Sequence, residues 1–110
     1  MSSYNAVDYG SYTVTGTAGS FLSFADAGSP SSLPSVAKAF VGVLETAQVR
    51  VRHDGTDPTT SEGVLLDVGD VIYMTESDIG GSDWIRTGGT SGVIKGHFYS
   101  ATVPQLLGSR

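Results

Sequence analysis

A chain of 110 residues, 39% hydrophobic and 15% charged, suffices for one domain with one core and leaves no room for a multidomain enzyme. Eleven Asp plus Glu against six Lys plus Arg give a net charge of -5, which repels nucleic acid and anionic lipid. The absence of Cys excludes disulfides, thiolate nucleophiles and Cys-based metal centres, and the longest apolar run, residues 39–44, is far short of the roughly 20 residues of a membrane helix.

Fifteen glycines, with abundant Ser and Thr, disfavour helices and favour short strands between turns. Residues 1–10 lack a sustained period and read as an extended N-terminal arm, with 11–110 a single β domain. Tyr4, Tyr9 and Tyr12 give the arm aromatic faces that need a place to bury. Alternation over residues 12–17, followed by Phe21-Leu22-Ser23-Phe24, predicts two short strands about a tight turn, and Asp26 to Ser35, with Pro30 and Pro34, predicts a loop. Val36 to Asp54 predicts a hairpin. Its first strand is apolar on both faces (Ala39, Val41 and Val43 against Phe40 and Leu44), and the turn is Glu45-Thr46-Ala47. The return strand points Val49 and Val51 inward and Arg50 and Arg52 outward.

Asp54 to Thr60 is dense in turn residues; strands follow at 64–66 and 71–74, joined by a bend at Val68-Gly69-Asp70. A strand over 83–87 and a last one over 93–99 flank Gly88 to Gly92, which reads as a hairpin connection. About eight short strands in this length predict an all-β fold, an antiparallel β-sandwich of jelly-roll type.

Catalytic templates lack parts. The two histidines, His53 and His97, sit in strands away from any nucleophile elbow, and read as sheet residues. Asp54, Asp57, Glu62, Asp67 and Asp70 form the densest acidic cluster, but their spacing fits turn chemistry and matches no calcium loop. No catalytic, cofactor-binding or metal-ligating residue is assigned, and no enzymatic activity or cofactor is expected. Arg50, Arg52, Arg86 and Lys95 could line a basic face or be the solvated side of a half-buried sheet.

Residues 47–74, Ala-Gln-Val-Arg-Val-Arg-His-Asp-Gly-Thr-Asp-Pro-Thr-Thr and onward through Val-Gly-Asp-Val-Ile-Tyr-Met, resemble a pattern recurring in small tailed-bacteriophage virion proteins. Residues 84–99, beginning Trp-Ile-Arg-Thr-Gly-Gly-Thr-Ser-Gly-Val, supply the closing part of that pattern, so the resemblance covers positions 47–99. It implies a non-enzymatic virion component, a capsid cement or decoration protein on the outer capsid surface, assembled in the host cytoplasm. The implied partners are the major capsid protein and further copies of the chain, a trimer being favoured; nucleic acid and membrane are not among them. Tyr4, Tyr9 and Tyr12, with Leu106 and Leu107 of the C-terminal tail, are the candidate partner-binding residues. On that reading, deleting residues 2–10 weakens attachment and spares the fold. The alternative is a tail, baseplate or fibre-associated module that binds a host receptor or carbohydrate, with Trp84 as a stacking platform.

Overall fold

A computed structural model describes residues 6–108. The fold is all-β: β1 (Ala6–Val14), β2 (Gly19–Ser20), β3 (Ala39–Glu45), β4 (Val49–Arg52), β5 (Val64–Leu66), β6 (Val71–Thr75), β7 (Asp83–Arg86) and β8 (Gly92–Tyr99) form two antiparallel four-stranded sheets. Sheet A has the order β1-β8-β3-β6 and sheet B the order β2-β7-β4-β5. Two short helices interrupt the strands, α1 (Glu76–Gly81) and α2 (Val103–Leu107).

Four of the pairings, β1 with β8, β2 with β7, β3 with β6 and β4 with β5, are the rungs of one long hairpin. Successive rungs alternate between the sheets, and the pairings of β3 with β8 and of β4 with β7 close each sheet. Consecutive strands therefore change sheet at every connection except β4 to β5.

That wrapping corrects two expected hairpins. β3 and β4 do not pair, and neither do β7 and β8; both short connections are corners between sheets. At the first, Ala47 N–H donates to the Glu45 carbonyl at 2.9 Å and Thr46 takes φ 78, a γ-turn. Alternation fixes which face of a strand is buried but not which strand lies beside it, so residues that read as a hairpin serve equally as a corner. Phe21–Phe24, expected as a strand, is a 3₁₀ turn whose Phe21 side chain enters the core. The described part of the expected arm is paired strand, residues 6–10 lying in register with Tyr99 back to Gly96 of β8. Truncation through residue 10 would remove about half of β1 and its pairing with β8, so it is expected to cost stability as well as attachment.

The core draws Tyr12, Phe40, Leu44, Met74, Ile94 and Phe98 from sheet A, and Val49, Val51 and Trp84 from sheet B, with Phe21 and Ile79 added from the helical turns. Its centre is aromatic: Tyr12 lies 4.1 Å from Phe21, Phe21 5.1 Å from Phe40, and Phe40 5.0 Å from Phe98, between ring centroids. Room for these rings comes from Gly10, Gly96 and Gly42, which stand in one row across β1, β8 and β3. A Cβ on Gly10 would meet the Tyr12 ring and one on Gly42 the Phe40 ring; one on Gly96 would collide with the β3 backbone. The glycines let two aromatic rings lie flat on the sheet.

α1 and α2 both begin with a capping box. Thr75 Oγ1 accepts from the Asp78 N–H and Thr75 N–H donates to the Asp78 carboxylate; Thr102 and Gln105 do the same for α2.

Candidate interaction surface

The residues that could carry chemistry are dispersed. His53 follows β4 of sheet B, and its Nδ1 lies 3.2 Å from Asp78 Oδ1; His97 stands on β8 of sheet A, its ring 5.2 Å from that of Tyr9. Three of the five acidic-cluster side chains, Asp54, Asp67 and Asp70, are engaged in local bonds. Asp54 accepts from the Arg52 guanidinium and from Thr56 N–H, and these contacts, the Arg52 bond foremost, hold its carboxyl below the usual carboxylate range. Asp67 accepts from Gln48, and Asp70 accepts from Asp67 N–H at 2.8 Å. Among the described residues no group of three or more His, Asp or Glu side chains is placed to hold a metal ion.

The four strand cations do not share a face. Arg50 and Arg52 point outward from sheet B, Arg86 donates to Ser91 Oγ at 3.1 Å, and Lys95 lies on sheet A with its Nζ 3.5 Å from Glu45. Trp84 is 1% exposed, and its indole N–H donates to Ser82 Oγ at 2.8 Å, so it offers no platform to a ligand.

Of the candidate partner-binding residues, Tyr4 lies outside the described residues. Tyr12 is wholly buried, its hydroxyl donating to the Pro30 carbonyl at 2.7 Å; it packs within the chain, which corrects its assignment as an outward anchor. Burial, with the charge of Asp8 adding, pushes the Tyr12 phenol well above its ordinary value. Tyr9 is 48% exposed on sheet A. Leu106 is half-buried and Leu107 exposed on α2. Ala6 pairs with Tyr99 on the β1 edge of sheet A, whereas α2, which follows Tyr99, packs against β6 at the opposite edge.

The feature the sequence reading missed is the outward face of sheet A. Inward positions are Tyr12, Val14, Phe40, Leu44, Ile72, Met74, Ile94 and Phe98, so the intervening residues point away from the core. Register aligns them in rows: Tyr9, His97, Val41 and Tyr73 cross the sheet in one, and Ser11, Lys95, Val43 and Val71 in the next. Val43, Val71 and Tyr73 are 41, 52 and 46% exposed. A solvated antiparallel face ordinarily alternates to polar residues, and at Val41, Val43, Val71 and Tyr73 of β3 and β6 this one does not. Lys95 and Glu45 are the two formal charges among these rows and the row beyond them, and they pair with each other. The signal was present in β3 and β6, where Val41 and Val43 sit opposite Phe40 and Leu44, and Val71 and Tyr73 opposite Ile72 and Met74. Round the β6 edge, Val64, Leu66, Val71 and Tyr73 line an apolar groove between the two sheets.

Against family models, curated proteins and solved structures, the chain matches none.

Proposed function

We propose that this chain is a non-enzymatic structural protein of a tailed-bacteriophage virion, a cement protein that decorates the outer capsid surface and stabilises it. The observation that supports the reading is the strand order, β1-β8-β3-β6 with β2-β7-β4-β5, which we read as a long hairpin folded into a jelly-roll β-sandwich, an architecture that viral shell domains use. Fold alone does not carry function, so the virion assignment rests also on the sequence resemblance over residues 47–99. On this reading the partner is the major capsid protein and the chain assembles in the host cytoplasm.

The candidate anchors lie on the two edges of sheet A, Tyr9 on β1 and Leu106 and Leu107 on α2 beside β6, so a partner that takes both would span the sheet. The tail-module alternative receives no support from Trp84, whose ring is in the core.

The test is rebinding of purified protein to capsids stripped of it, with wild type, a chain lacking residues 2–5, and Tyr9→Ala. Wild type is expected to bind the shell in many copies and both variants to bind more weakly. Wild-type protein that ignores the shell, or binds only tails, would overturn the proposal.

A further inference from the structure

The outward face of sheet A can be assigned an occupant, independently of the virion reading. We propose that it is a self-association surface, on which two copies of this chain pack sheet to sheet about a two-fold axis.

Charge is the first argument. The molecule carries a net charge of -5, yet the two central rows and the next row of this face hold one cation and one anion, already paired with each other. Of the other ten acidic residues, Asp26 lies at the β1 edge of this face, its carboxylate accepting from Ser11 Oγ at 2.7 Å and Thr13 Oγ1 at 3.0 Å, and the rest lie outside those rows. Two copies that meet over β3 and β6 bring neutral against neutral, with the Asp26 carboxylate left at the β1 rim and no unpaired charge at the centre.

Area is the second. β1, β8, β3 and β6 have nine, eight, seven and five residues. At about 3.4 Å per residue and about 4.8 Å between strands, they present about 450–500 Å² per copy. Two such faces, wholly covered, bury about 900–1,000 Å², at the lower limit for a specific pair.

Shape and composition are the third. A four-stranded face is best covered by another sheet at about 10 Å, and each copy brings one of the same dimensions. The apolar half lies on β3 and β6, so the axis passes near Val41, Val43, Val71 and Tyr73. Lys95, Glu45 and Tyr9 then fall toward a polar rim, the usual anatomy of an interface. A two-fold face of this kind favours a pair over the trimer implied by the family resemblance.

The Cys-free sequence makes the test direct, because each cysteine variant carries a single thiol. Light scattering of the wild-type chain is expected to give twice the 11.4 kDa chain mass. Under oxidation Val43→Cys is expected to form a disulfide dimer in most molecules, and Thr56→Cys, in the loop beyond sheet B, in few. A wild-type chain that is monomeric up to millimolar concentration overturns the proposal, as does a pair that crosslinks through Thr56→Cys and not through Val43→Cys.

Discussion

The two sheets share a core but treat their outward faces differently. Sheet B supplies its own cover. Arg50 donates from Nε to the Thr60 carbonyl at 3.1 Å and from Nη1 to the Gly63 carbonyl at 2.9 Å, tying the 54–63 loop to the sheet, with Pro58 buried in that loop. Ile85, across from Arg50, is thereby only 8% exposed although it points away from the core. Sheet A carries more apolar area outward, yet Tyr9, Val43, Val71 and Tyr73 stay open to solvent. An apolar face that the chain itself does not cover is where a partner gains most on binding. The difference teaches that inward and outward apolar residues answer separate demands, one the fold and one association.

The largest expected effect comes from closing the glycine row that lets sheet A hold aromatic rings. A Cβ on Gly96 would sit 2.5 Å from Gly42 Cα and inside the shell of the Val41 carbonyl oxygen. Gly96→Val is expected to cost about 3 kcal/mol or more, enough to unfold much of a marginal domain, read by thermal denaturation. Gly89→Val, at an open turn position, is the matched control and is expected to change little.

Next in size is the loop that covers sheet B. Arg50→Ala removes two charge-assisted hydrogen bonds and is expected to cost about 1–2 kcal/mol while speeding proteolysis within residues 54–63. A loop as protease-resistant as wild type would show that Arg50 is not what holds the cover down.

A smaller effect tests the aromatic centre beneath sheet A. The Tyr12 phenol is held protonated in the folded chain, whereas in the unfolded chain it ionises near its ordinary value of about 10. Above that pH the unfolded chain binds fewer protons, so stability is full below about pH 10 and falls as pH rises further. Tyr12→Phe is expected to lose about 1 kcal/mol at neutral pH, with the Pro30 hydrogen bond, and to flatten the alkaline fall in melting temperature. An unchanged alkaline slope would assign that fall to other groups.

The smallest effect is at the exposed Arg52–Asp54 pair beyond β4. Arg52→Ala is expected to leave the melting temperature at neutral pH unmoved, because solvent screens the pair. It returns the Asp54 carboxyl toward its usual range, measurable by NMR titration.

Much of this was legible in the sequence, for physical reasons. Val49 and Val51 alternate with two arginines, and Ile94, Gly96 and Phe98 with Lys95 and His97, so the buried face of each strand followed from period two. Gly55 and Gly69, with φ 81 and 95, sit in turns that residue type alone marked. Strand pairing was not legible: a corner at Thr46 and a hairpin turn use the same residues, and the choice is made by β6 and β8, far along the chain. α1 was missed because Ile79 is its single buried residue and two glycines end it, leaving no helical period to see. Tyr12 was misjudged for a similar reason: an aromatic between Ser11 and Thr13 is outward or inward according to a register that only β8 fixes.

The contrast between the two faces is tested most directly by placing the same charge on each. Tyr73→Lys puts a cation on the apolar β3–β6 half of sheet A's outward face, and Leu65→Lys puts one on exposed β5 of sheet B. With circular dichroism confirming both folds, sedimentation velocity is expected to show Tyr73→Lys as a monomer and Leu65→Lys as the wild-type pair. Equal sedimentation of the two variants, both paired or both dissociated, would contradict the account.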